Sequence, residues 1–172
     1  KKNLFAQLDE VCQPSTLFAS NTSSMCITEM AAVTRRPEQI VGMHFFNPAP
    51  IMKLVEVVRT VMTSKETFET AWNFVSSIGK EAIASEDKAG FVVDRLLVPY
   101  LMESVRALEE RVASIEDIDK GMQLGCGFPM GPFTLMDLVG LDICYNAAIP
   151  LYDEYREKSF QPPPLLKRMV QA

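Results

Sequence analysis

Histidine is almost missing from this sequence, with His44 alone among 172 residues. Cysteine is scarce as well: Cys12, Cys26, Cys126 and Cys144 are scattered, with no CxxC pair and no metal-ligand spacing. A zinc-type centre is therefore excluded on spacing, and the thiols read as reduced packing residues. No run approaches the roughly 20 apolar residues that cross a bilayer. The expectation is a soluble protein of the cytoplasm, with the mitochondrial matrix left open because the chain lacks an initiator methionine. Neither sign of charge is gathered into a block, and 17 basic against 22 acidic residues give a net charge of −5. Nucleic acid and anionic membranes are thus not expected partners. Internal repeats and low-complexity segments are absent too. So is a phosphate-cradling Gly-x-Gly-x-x-Gly, because Gly125-Cys126-Gly127 has only Gly131 beyond it, at the wrong spacing and after a helical run.

What is present is a 48% hydrophobic chain whose apolar pattern changes character midway. Leu4, Phe5, Leu8 and Val11 fall on one helical stripe, stopped by Gln13-Pro14-Ser15. Short strands are expected over 16–19, 40–46, 53–58 and 82–85. Between them lie a helix from Ile27 to Val33, with N-cap chemistry from the Ser20-Asn21-Thr22-Ser23-Ser24 cluster, and another opened by Ser64 and closed at Gly79. Alternating strand and helix argues for part of an α/β sheet. From Asp87-Lys88-Ala89-Gly90 onward only helical spacing remains. A helix is expected over 91–112, bent at Pro99, then one capped by Ser114 with Asp117, one entered through Gly131-Pro132, and a short basic helix after Pro162-Pro163-Pro164. The fold class is therefore α/β followed by all-α, with domains 1–86 and 87–172.

Two residues stand out chemically. His44 ends an apolar strand, where side chains of α/β sheets project into the ligand crevice, although for His44 taken alone a structural, hydrogen-bonded histidine is the more ordinary reading. Glu56 interrupts Leu54-Val55-Glu56-Val57-Val58, where an unpaired carboxylate is costly to bury. Pairing it with His44 resolves that cost and holds the imidazole in one orientation, as a general base requires. The alternative is an edge-strand glutamate facing water.

Taken together, Ser20-Asn21-Thr22-Ser23-Ser24, His44-Phe45-Phe46-Asn47-Pro48, Met52-Lys53-Leu54-Val55-Glu56-Val57, Gly90-Phe91-Val92-Val93 with Arg95 to Tyr100, and Gly127 to Pro132 resemble the 3-hydroxyacyl-CoA dehydrogenase family over nearly the whole chain. The resemblance implies the second half of a Rossmann-type NAD-binding domain followed by a helical substrate-binding and dimerisation domain. It implies hydride transfer between C3 of a short-chain 3-hydroxyacyl-CoA thioester and NAD, in a homodimer. By the same resemblance His44 is the general base, Glu56 its support and Ser23 a hydrogen-bonding partner of the substrate oxygens. Asn21, Asn47 and Lys1 are similar to cofactor-side residues, and Pro129 and Met130 to residues lining the acyl-CoA site. The fourth catalytic position implied by the resemblance falls on Asp94, and there the chain departs from the family, which reads Asn-Arg-Leu where this chain reads Asp94-Arg95-Leu96. A neutral amide can donate to a developing oxyanion and an ionised carboxylate cannot. The family carries its glycine fingerprint in an N-terminal βαβ unit, expected to lie before Lys1, so this chain is expected to be the later portion of a longer enzyme and inactive by itself. The rival reading is a non-catalytic helical dimerisation or acyl-CoA-binding module with a sheet remnant.

Overall fold

Strand-forming Val, Ile and Phe concentrate in two apolar hexamers of this chain, and these become the centre of a sheet. The computed structural model describes residues 1–23 and 25–172; Ser24, one of the expected capping residues, lies outside them. Two compact units divide between Val92 and Val93. The first runs α1 (Lys2–Val11), β1 (Phe18–Ser20), α2 (Ile27–Ala31), β2 (Ile40–Phe45), β3 (Leu54–Arg59), α3 (Lys65–Ser77) and β4 (Glu81–Glu86). The strands lie in sequence order, β1-β2-β3-β4. β1 pairs with β2 and β3 with β4 in parallel, each step crossing through a helix, whereas β2 and β3 are antiparallel and joined by a short loop.

Helices cover both faces of the sheet. On one face Phe5, Phe18, Ile27, Met30, Ile40 and Val58 form a buried cluster under α1 and α2. On the other, Val41, Met43, Val55 and Val57 pack with Ala71 and Val75 of α3. Two covered faces account for the unbroken apolar run of β2. The expected apolar stripe of α1 is only half used, because Leu4 and Val11 are 53% and 79% exposed while Asp9 is buried. Asp9 accepts from the Arg35 backbone N–H at 2.9 Å and from Arg36 Nε at 2.6 Å. These bonds tie α1 to the turn after α2.

The second unit is helical: α4 (Val93–Glu109), α5 (Ile115–Cys126), α6 (Pro132–Val139), α7 (Leu141–Tyr155) and α8 (Pro164–Gln171). Its core joins Val98, Leu101, Met102 and Val105 of α4 to Met136, Ala148 and Leu151. α4 starts later than the periodicity suggests because Gly90 and Phe91 adopt left-handed φ values of 77° and 45°. It ends earlier, before Arg111 at φ 58°. Pro99 is accommodated inside it. Burial pushes the Cys144 thiol up to about 11, as befits an inert packing residue. Among the described residues no single helix is long and apolar enough to cross a membrane.

Ser64 and Ser114 cap α3 and α5 as expected, accepting from the Thr67 and Asp117 N–H groups at 3.1 Å each. α6 is capped differently. Its N-cap is Gly131, and the carboxylate of Asp119 reaches across from α5 to accept from Phe133 N (2.8 Å), Thr134 N (2.9 Å) and Thr134 Oγ1 (2.6 Å). A Cβ at position 131 would fall 2.2 to 2.4 Å from Asp119 atoms, its backbone Cα among them, so only glycine fits. Burial pushes the Asp119 carboxyl up, but the three bonds from Thr134 and Phe133 outweigh it and hold the group below the ordinary aspartate value.

A depressed folded-state pKa means that this cap contributes its full stability above the unfolded value and loses it as pH falls through the folded one. Asp119→Ala should therefore cost about 1–2 kcal/mol at pH 7. The gap to the unmodified protein should close below roughly pH 4. Denaturant unfolding of both forms across that range measures it, and a gap independent of pH would contradict the assignment.

Candidate active site

Alternation along β2 sends Ile40, Gly42 and His44 to the α2 face, and the antiparallel register sets His44 opposite Glu56 and Gly42 opposite Val58. Directly opposed residues point to the same face, so the imidazole and carboxylate meet. His44 Nδ1 lies 2.6 Å from Glu56 Oε2. Glu56 is 0% exposed and His44 6%. The other carboxylate oxygen, Oε1, accepts from the Val92 N–H at 3.0 Å. Glu56 is therefore no edge residue facing water: β3 lies between β2 and β4. The imidazole is walled by Phe46 at 4.7 Å and Phe91 at 5.5 Å between ring centroids.

β1 ends at Ser20 beside Gly42, three residues before β2 ends at Phe45, and the polar candidates Asn21, Ser23 and Asn47 follow those ends. Asn21 Oδ1 accepts from the Phe45 N–H at 2.9 Å, which ties the segment after β1 to the last residue of β2. Next to it Thr22 is buried, its Oγ1 accepting from Met25 N at 3.1 Å, while Ser23 is exposed. Asn47 is exposed beyond β2, at a cis bond to Pro48. Lys80 Nζ donates to the carbonyls of Ala49 and Met52 at 2.6 and 2.7 Å, holding the loop that Asn47 begins. Lys1 is exposed at the N-cap of α1. In the helical unit, Asp94 is half-buried in the first turn of α4, and Pro129 and Met130 lie in the turn between α5 and α6.

Among the described residues of the polar cluster, none caps α2 as the sequence suggests. The N-cap is Cys26, whose side chain accepts from no helix N–H, and the donors at the helix start are met by Asp87 from beyond β4: Ile27 N at 3.1 Å, Thr28 N at 2.6 Å and Thr28 Oγ1 at 2.7 Å. Asp87, Phe91 and the Val92 N–H are contributors that sequence reasoning missed. Nothing in a single sequence marks a backbone donor, and an aspartate sixty residues from its helix gives no local signal.

Two family models match this chain. One, described as the NAD-binding domain of 3-hydroxyacyl-CoA dehydrogenase, covers residues 1–88, and the C-terminal domain of the same enzyme covers residues 90–172. The chain is 46% identical over its whole length to a 3-hydroxybutyryl-CoA dehydrogenase of Clostridioides difficile, covering 61% of that protein. It is 48% identical over 99% of its length to the human mitochondrial hydroxyacyl-coenzyme A dehydrogenase, covering 54% of it. Among solved structures, the (S)-3-hydroxybutyryl-CoA dehydrogenase of Ralstonia eutropha superposes with a TM-score of 0.94 at 41% identity over 98% of this chain and 60% of its own. The chain thus spans less than two thirds of the length of the relatives it matches.

Gly42 lets α2 approach the sheet beside the pair, since a Cβ there would lie 2.3 Å from Ile27 Cδ1 and 2.8 Å from Val58 Cβ. Gly42→Ala should cost about 1–3 kcal/mol, read from denaturant unfolding, because the clash includes a strand Cβ that cannot swing away. An unchanged midpoint would show that α2 gives way freely.

Proposed function

Because the chain belongs to the 3-hydroxyacyl-CoA dehydrogenase family, we propose that its sheet unit supplies the proton-transfer machinery for NAD-dependent interconversion of short-chain 3-hydroxyacyl-CoA and 3-oxoacyl-CoA thioesters. The observation that carries the proposal is the buried contact of 2.6 Å between His44 Nδ1 and Glu56. An ionised carboxylate only accepts, so Nδ1 bears the hydrogen and Nε2 keeps its lone pair. Nε2 then takes the proton of the substrate 3-hydroxyl as the C3 hydrogen departs with its electron pair and the carbonyl forms. Glu56 stabilises the imidazolium that results, while Val92 N–H keeps the carboxylate turned toward the ring. A non-catalytic dimerisation module offers no reason to bury such a pair.

Bound NAD would supply the hydride acceptor for C3. The residues present fit its nicotinamide end. Asn21 spends its oxygen on Phe45 N–H and so offers its amide nitrogen as a donor, and Asn47 and Lys1 are exposed polar groups suited to a carboxamide. Ser23 offers an exposed hydroxyl to the substrate oxygens. By resemblance alone Asp94 takes the fourth catalytic position, and Pro129 and Met130 line the acyl-CoA site. A homodimer through the helical unit accords with the exposed Leu124 and Leu138 on its surface. A cytoplasmic or matrix setting, where thiols stay reduced, suits the free cysteines.

In the intact enzyme His44→Gln should lower turnover with 3-hydroxybutyryl-CoA by about 10²-fold or more, followed by NADH absorbance, and Glu56→Gln should act in the same direction. Near-normal rates in both variants would return His44 to a structural role. Asp94→Asn should raise turnover at neutral pH, because a carboxylate beside the substrate oxygen opposes the negative charge developing there, whereas an amide can donate to it. Rate against pH for the two forms decides this: an asparagine variant slower at every pH would make Asp94 a useful acceptor in its own right.

A further inference from the structure

The carboxylate of Asp87 takes no part in the proton transfer, yet its bonds lead to the segment that carries Ser23. Its own N–H donates to the Arg59 carbonyl at 3.0 Å, anchoring it at the end of the sheet. Oδ1 accepts from Ile27 N, and Oδ2 from Thr28 N, from Thr28 Oγ1 and, at 3.3 Å, from Cys26 Sγ. α2 spans five residues, too short to persist without outside bonds. Its start fixes where the preceding segment ends, and Asn21 and Thr22 fix where that segment begins.

From Asp87 the chain crosses the same face of the sheet to Glu56. Gly90 and Phe91, both at positive φ, turn the backbone so that the Phe91 ring meets His44 and the Val92 N–H meets Glu56 Oε1. One six-residue stretch thus grips the Ser23 segment at one end and the His44–Glu56 pair at the other. We propose that Asp87 is a positioning residue: by holding the start of α2 it sets the Ser23 hydroxyl for the substrate oxygen that His44 deprotonates. The inference rests on the function proposed above for His44 and Ser23.

The test compares, in the intact enzyme, Asp87→Asn, Ser23→Ala, the double variant and His44→Gln, with a short 3-oxoacyl-CoA and NADH as substrates and amide hydrogen exchange as an independent readout. An asparagine at 87 keeps the shape but turns an NH₂ toward one of the donors it must satisfy. Asp87→Asn should lower kcat/KM about 10-fold through misplacement of Ser23. The pH profile attributable to His44 should keep its shape, and exchange at the Ile27 and Thr28 amides should quicken. The double variant should be no worse than Ser23→Ala, since Asp87 acts through Ser23. Thr28→Val, which removes one donor and leaves the carboxylate in place, should show a smaller loss with the same non-additivity, and it decides the matter if Asp87→Asn does not fold. Wild-type kcat/KM, unchanged exchange, multiplying losses, or a silent Ser23→Ala each overturn the proposal. An active His44→Gln is a different result and overturns the functional reading beneath it.

Discussion

Glu56 is a carboxylate with no solvent exposure in the middle of an apolar strand, and much of the sheet unit is arranged around satisfying it. Removing such an ion from water costs several kcal/mol, and an attraction to one partner offsets this only if the other oxygen is also bonded. His44 and the Val92 N–H meet those two demands. Each then constrains something else. His44 reaches Glu56 only in the β2–β3 register that places them opposite, and a slip of one residue would turn the imidazole to the α3 face. Val92 reaches it only because Gly90 and Phe91 take left-handed conformations, and Gly42, two residues before His44, is bare because α2 presses onto the sheet there.

Carboxylates reaching across the chain recur in both units. Asp87 caps α2, Asp119 caps α6, and Asp9 joins α1 to Arg35 and Arg36. The Arg35 backbone N–H, with the two guanidinium groups, holds the Asp9 carboxyl below its usual range despite burial. In α2 and α6 the side chain of the N-cap residue, Cys26 or Gly131, accepts from no helix N–H, so those N–H groups and the positive end of the helix dipole draw an anion from elsewhere. A remote cap does what a serine cap does for a helix and also fixes the distance between two elements.

That distinction decides how much could be read from the sequence. The strands, the α/β-to-helical change, and the Ser64 and Ser114 caps were legible because their signals are local: periodicity within a segment, or a donor three residues from its acceptor. The remote caps leave no such trace, so the polar cluster before α2 reads as its cap, whereas among the described residues Asp87 meets the donors at that helix start. Glu56 stood undecided between edge and interior because one strand does not reveal its neighbours, and only the order β1-β2-β3-β4 places it inside. Leu4 and Val11 kept a helical period while facing outward, since periodicity reports a face and not what covers it. The family resemblance supplied roles for Ser23, Asn47 and Asp94 that no local pattern could.

The His44–Glu56 pair is hard to explain as a stability device. Val55, Val57 and Val58, fully buried beside Glu56, show what this strand uses when packing alone decides. Replacing a buried ion pair by apolar residues of similar volume is often neutral or stabilising, whereas losing one partner leaves a charge without compensation. A sheet that keeps the pair accepts both the lower stability and the fragility. Its geometry explains what is gained. Glu56 engages Nδ1 and fixes the ring, so the tautomer is set and Nε2 is the nitrogen left to accept a proton, at the strand end where the polar residues following β1 and β2 gather. The same burial that makes the carboxylate costly strengthens its hold on an imidazolium, because few solvent dipoles screen the two charges. The group least suited to the interior by packing is thus the one best suited to proton transfer there.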